Sequence, residues 1–155
     1  MSAADLWADG FDAKAFMAFV EKLGHGGALG IRYHGHAAEW VELTLDYDEK
    51  LVGMVESGII ASGPIISLMD MATSLAVWAK LGRFRNQATL DMRIDYMRPA
   101  VPGRAIVGRG ECYAATRSVA FVRGLAHDGD AADPVAHVTA TFMFTDQAAP
   151  EAGGA

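Results

Sequence analysis

A chain of 155 residues, 52% of them hydrophobic, suits one compact domain with a core of its own and leaves no room for two. The formal net charge of −6 argues against nucleic acid or an anionic membrane as a main partner, since both call for a basic surface. A single cysteine, Cys112, excludes an internal disulfide and a cysteine-based zinc site, so the expected compartment is a reducing cytoplasm, and the acidic start MSAADLWADGFDAK is unlike a secretory signal.

Phe11, Ala15, Phe16, Phe19, Val20 and Leu23 recur at helical spacing, which predicts a short amphipathic helix ending at Gly24. ALGIRYHG and AAEWVELTLDYD, rich in β-branched and aromatic residues, read as a hairpin turning near Gly35. A glycine-containing connection, LVGMVESGIIASG, leads to a long apolar helix, SGPIISLMDMATSLAVWAKL. After it, Leu90, Met92, Ile94 and Tyr96 alternate with polar neighbours, the period of a strand with one buried face. RAIVGRGECYA, SVAFVRGLAHD and PVAHVTATFMFT follow as three more strands, and short turns make all four a meander of antiparallel neighbours. The expected division is a helix and loop over 1–27, the main domain over 28–146, and a disordered tail over 147–155. One curved antiparallel sheet wrapped around one long central helix, an α+β arrangement, satisfies this layout.

The chemistry concentrates on the long helix. Ser62 is a favoured N-cap and Pro64 fits the first turn, so backbone N–H groups point out of that end. At about 100° per residue, Ser67, Asp70, Thr73 and Ser74 fall within an arc of roughly 120° on an otherwise apolar helix. Asp70 either is a structural carboxylate, bonded to Thr73 or Ser74 or exposed at an edge, or lines a pocket as general base or nucleophile, with helix N-terminal amides as an oxyanion hole. Asp70 lies about two turns from the amides of its own helix, so those serving it would come from a second subunit.

Gly58, Gly63, Leu68 and Asp70, followed by TLDMRIDYMRPAVPG, resemble the hotdog-fold acyl-CoA thioesterases of the phenylacetate-degradation (PaaI-like) type, over roughly Leu29 to Thr145. The resemblance implies a hotdog fold, a homodimer or dimer of dimers, and an active site shared between subunits. It also implies hydrolysis of an acyl-CoA thioester, with CoA present as part of the substrate and neither a cofactor nor a metal required. By the same resemblance Asp70 would take the place of the family's catalytic acid, Ser62 and Gly63 would supply oxyanion amides, Thr89 would orient the attacking water, and Ser74 matches a small hydroxyl position. The family's His-Gly-Gly triplet is here Ala61-Ser62-Gly63, and Val55 replaces its amide residue. These departures favour, as the alternative, a non-catalytic hotdog protein that binds acyl-CoA or a related ligand without efficient turnover.

Relatives contact CoA near two turns, which singles out Arg98 (with Arg104 nearby) and Thr116, Arg117 and Ser118. Arg83 and Arg85, after the helix, are further cations of this kind. A literal His25-Gly26-Gly27 reads as a helix stop and loop, and His34, His36, His127 and His137 as packed or surface histidines.

Overall fold

The computed structural model describes Trp7 and residues 10–146, so the expected tail lies outside the described residues. Two short helices come first: α1 (Ala13–Val20) and α2 (Gly24–Leu29). The Asp12 side chain caps α1 by accepting from the Ala15 N–H at 2.8 Å. The predicted first helix therefore ends at Val20, before Gly24, and Gly24, at φ +57°, opens a second helix instead. Strands β1 (Ile31–His36) and β2 (Trp40–Leu45) form the expected hairpin, but it turns at Ala37–Glu39, while Gly35 lies within β1 beside a bulge. The glycine-containing connection is itself a small hairpin, β3 (Val52–Met54) with β4 (Ile59–Ile60), separate from the main sheet.

The long helix is α3 (Ser62–Leu81). Strands β5 (Gln87–Tyr96), β6 (Ile106–Ala115), β7 (Val119–His127) and β8 (Ala136–Phe144) complete a six-stranded sheet in the order β1-β2-β6-β7-β8-β5. Every neighbouring pair in it is antiparallel. Only β6, β7 and β8 form a meander. The expected pairing of β5 with β6 does not occur, because β5 pairs with β8 and β6 with β2. Residues 97–105 carry the chain across this gap, and nine residues can span about 30 Å against roughly 14 Å for three strand spacings.

The concave face of the sheet wraps α3. Ile65, Leu68, Met69, Ala72, Ala76 and Val77 of the helix pack against Val41, Leu43, Leu45, Ile106, Val122 and Ala126 of the strands in one core. Full burial of a side chain such as Leu68 contributes about 1.5–3 kcal/mol. The helix seats so deeply because β6 carries glycine where it passes beneath: a Cβ on Gly110 would stand 2.6 Å from the Ala72 carbonyl oxygen. On its outer side, α1 is fixed by aromatic edges, with Phe11 and Phe16 ring centroids 5.5 and 5.3 Å from that of Trp78.

Candidate active site

The outer face of α3 carries Ser67, Asp70, Met71, Ser74, Leu75 and Trp78, each with a neighbour in the set three or four residues away, and so they form one stripe. Thr73 does not belong to it. Its side chain is buried and donates to the Met69 carbonyl at 2.7 Å, an internal bond that removes it from the expected polar arc.

Strand β5 runs alongside α3 in the opposite direction and meets it at three levels. Gln87 Nε2 donates to Ser74 Oγ at 2.8 Å, Thr89 Oγ1 donates to Asp70 Oδ1 at 2.8 Å, and the Tyr96 hydroxyl donates to the Ser62 carbonyl at 3.2 Å. In a regular strand Leu90, Met92, Ile94 and Tyr96 would share one face and Thr89 would take the other. The ladder slips between Thr89 and Asp91, so Leu90 is an extra, bulged residue. The bulge reverses the phase and turns Thr89 onto Asp70, leaving Leu90 59% exposed.

Asp70 is half-buried, and the Thr89 bond is the only hydrogen bond to its carboxylate among the described residues. Among the described residues no cation pairs with it, and the second carboxylate oxygen keeps its lone pairs for another group. Ser74 accepts from Gln87, which leaves its own O–H free to donate. A pocket of about 330 Å³ opens over these residues, walled by Phe16 and Val20 of α1, His25 and Gly26 of α2, Ile31 of β1, and the α3 stripe.

His25 was not expected here. Its Nε2 lies 2.9 Å from Ser67 Oγ, one turn before Asp70 on α3. Gly26 and Gly27 make the approach possible: a Cβ on Gly26 would meet Met71 Cε at 3.0 Å, and one on Gly27 would stand 2.5 Å from the backbone carbon of Lys22. The His-Gly-Gly stretch is thus inside α2 and faces the pocket. The expected helix stop and loop is therefore a helix, and its glycines serve close approach. The literal triplet was the available signal, but its distance in sequence from Asp70 hid the contact.

The start of α3 also differs from expectation. Ala61 is the N-cap and Ser62 the first helical residue, and no side chain caps the helix. A cap oxygen bonds the second or third amide of a helix. Ala61 has no side-chain oxygen to offer and Pro64, at the third position, has no N–H, so among the described residues the Ser62 and Gly63 amides have no side-chain partner. Both residues are exposed. They lie seven and eight residues before Asp70, about 10–12 Å along the axis, so they do not serve that carboxylate within one chain.

The residues expected to contact CoA fall at both ends of α3. Arg98, at the N-terminal end, requires a correction. Its guanidinium donates to Asp128 Oδ1 at 2.7 Å and Oδ2 at 3.0 Å, to the Asp133 carbonyl at 2.7 Å, and faces the Asp133 carboxylate at 3.0 Å. With both terminal nitrogens of its guanidinium bonded and two carboxylates against it, Arg98 is a structural cation and not a free phosphate ligand. The Arg98 bond and the Val101 N–H hold the Asp128 carboxyl down at about 2. Thr116, Arg117 and Ser118 form the β6–β7 turn beyond the other end of the helix. Thr116 Oγ1 is used within the turn, accepting from the Ser118 and Val119 N–H groups at 3.3 and 3.1 Å. Arg117 and Ser118 are exposed. Arg85 pairs with Asp146 and lies over the Phe144 ring. Tyr33 binds His36 Nδ1 at 2.8 Å, and the Gly129 N–H binds His127, away from the Asp70 pocket.

Residues 57–135 match the family model of the thioesterase superfamily. The chain is 29% identical over 145 residues to the medium/long-chain acyl-CoA thioesterase YigI of Escherichia coli K12, covering 81% of this chain and 88% of that protein. A crystal structure of a Pseudomonas aeruginosa protein is 36% identical, with a TM-score of 0.74 over 84% of this chain and 95% of the other. The PaaI protein of the E. coli phenylacetic acid degradation operon has a TM-score of 0.71 at 16% identity, covering 84% of this chain and 90% of its own. These likenesses and the helix-wrapping sheet establish the hotdog fold.

Proposed function

Because the chain belongs to the thioesterase superfamily, we propose that it hydrolyses acyl-CoA thioesters to free acid and CoA, with Asp70 as general base or nucleophile. The observation that carries this reading is the state of Asp70: a half-buried carboxylate fixed by one hydroxyl donor, without a neutralising cation, at the mouth of a pocket. Thr89 orients one oxygen and leaves the other to take a proton from water or to attack the thioester carbon. Attack places negative charge on the former carbonyl oxygen, and free helix-terminal amides stabilise such an oxyanion. When that intermediate collapses, the C–S bond breaks and CoA leaves as the thiolate, which takes up a proton. If Asp70 itself attacked, water then cleaves the resulting anhydride.

The amides of Ser62 and Gly63 meet this need in a dimer, where one chain's helix start faces the other chain's Asp70. The ten-residue edge strand β5 supports such an assembly. It pairs on one side only, and Leu90, Tyr96 and the adjacent Met97 are exposed along it. Long uncovered edges of this kind are ready to pair with another strand. For the CoA phosphates, the exposed Arg117 and Ser118, with the exposed Arg83 and Arg104, remain after Arg98 is assigned to Asp128.

Thiol release from a panel of acyl-CoA substrates, with sedimentation of the same sample, tests the proposal. Stoichiometric free thiol from a dimer or larger assembly is expected. Binding across the panel without thiol release would instead identify a ligand-binding hotdog protein.

A further inference from the structure

We propose that Gln87 is a positioning residue of the Asp70 site: its side-chain amide fixes the direction of the Ser74 hydroxyl, so that Ser74 presents its proton to the water that Asp70 activates. This rests on the thioesterase reading and adds which hydroxyl holds the water and what orients that hydroxyl.

Three hydroxyls lie on or against the stripe that carries Asp70, those of Ser67, Ser74 and Thr89, and each has a single proton to give. Thr89 gives its proton to Asp70 Oδ1 at 2.8 Å, so that proton is not available to a water. Ser67 gives its proton to the Gly63 carbonyl at 3.1 Å, and its oxygen therefore accepts from His25 Nε2. Ser74 differs because of Gln87. Gln87 Nε2 lies 2.9 Å from the Ser74 carbonyl oxygen and 2.8 Å from Ser74 Oγ. A carbonyl oxygen only accepts, so the end of the amide that faces it is the NH2, and the second proton of the same NH2 goes to Oγ. The hydroxyl of Ser74 is thereby made an acceptor toward Gln87 and keeps its own proton. The carbonyl one turn back, that of Asp70, receives Thr73 Oγ1 at 3.2 Å, and among the described residues none accepts from Ser74 Oγ. Ser74 and Asp70, four residues apart, share one face of α3 and line one pocket.

The spacing of strand and helix makes the arrangement possible. Gln87 and Thr89, two residues apart on β5, are separated by about 6.8 Å, close to the roughly 6 Å between Ser74 and Asp70 along α3, so one strand face addresses both. Gln87 Oε1 is buried with no hydrogen-bond partner among the described residues, a cost that an apolar side chain of the same length would avoid. The NH2 is what this position retains. In the reaction, Ser74 donates to the water oxygen and the second oxygen of Asp70 takes a proton from that water. The electron pair of the broken O–H bond forms the bond to the thioester carbon, and the carbonyl π pair moves onto its oxygen. Asp70 acts here as general base and not as nucleophile.

The test compares the full chain with Gln87→Met, Ser74→Ala and the double variant, by thiol release and by heteronuclear NMR of the Gln87 side-chain amide. Each single variant should lower kcat about tenfold with KM within about twofold of wild type. The double variant should fall no further than Ser74→Ala, because Gln87 acts through that hydroxyl alone. A single turnover in heavy-oxygen water, with enzyme in excess, should label the product acid. In the wild type both Gln87 amide protons should exchange slowly, and Ser74→Ala should release one of them, a readout that needs neither turnover nor a folded Gln87→Met. Unchanged kcat in Gln87→Met, losses that multiply in the double variant, an unlabelled acid, or amide protons indifferent to Ser74→Ala would each overturn the assignment. Thiol release by the wild type with any of these results would leave hydrolysis standing. No thiol release at all would remove the thioesterase reading and the catalytic role together, with the amide protons still deciding the direction of the Ser74 hydroxyl.

Discussion

Asp70 and Asp128 are both carboxylates on the margin of the core, and they are treated in opposite ways. Asp128 is 4% exposed and accepts both from the Arg98 guanidinium and from the Val101 N–H, so its charge is matched on every side. Asp70 is more open, receives one hydroxyl bond and has no cation beside it. Asp128 ties the loop after β5 to the loop after β7, and its partners leave it nothing else to bind. Asp70 is oriented through one oxygen and keeps the other unbonded among the described residues, the state that the proposed base or nucleophile requires. The two ends of α3 repeat the contrast. Gly82, at φ +66°, closes the C-terminal end with its N–H on the Ala79 carbonyl, whereas the N-terminal end has no side-chain cap.

The contrast breaks most visibly under substitution. Asp70→Asn should lower kcat by about 10³-fold, since the amide neither accepts a proton nor attacks, as thiol release will measure. Asp128→Asn should act on stability instead. Removing one partner of a buried ion pair costs about 3 kcal/mol, and urea unfolding should register that loss while turnover per folded molecule changes little.

Acid sharpens the same difference. The folded carboxyl of Asp128 is held at about 2 against an ordinary 3.8, so between these values the unfolded chain binds more protons than the folded one. The resulting stability is complete above about pH 5 and is lost as pH falls toward 2. It amounts to about 2 kcal/mol, readable as a steeper acid limb than Asp128→Asn shows. The smallest effect is expected at Ala61→Ser. A serine cap should bond the Gly63 N–H, raising stability by about 1 kcal/mol while reducing turnover several-fold, because it occupies an amide the oxyanion needs. Melting temperature and turnover should therefore move in opposite directions.

Much of this architecture was legible in the sequence. The apolar run broken only by Asp70 defined α3, and alternating residues with short turns defined β6 to β8. The place of β5 was not legible, because a short connection suggests adjacency, while the helix lying across the sheet carries this chain to the far edge. Thr89 shows a subtler limit. The family resemblance singled out Thr89, but its contact with Asp70 depends on the bulge at Leu90, and nothing in Leu90 itself announces a bulge. Ser62 was a better cap than Ala61 by propensity, yet the helix begins one residue earlier. His25 was missed because its neighbour, Ser67, is 42 residues away, a contact that local patterns do not report.

The central claim is that Asp70 is kept for chemistry and not for the fold. Thermal unfolding of Asp70→Asn beside wild type and Asp128→Asn, with turnover measured on the same samples, tests it most directly. The account predicts that Asp70→Asn melts at or slightly above the wild-type temperature and has lost its turnover, whereas Asp128→Asn melts several degrees lower and remains active. An Asp70→Asn protein that melts as low as Asp128→Asn while hydrolysing thioester at the wild-type rate per folded molecule would contradict it.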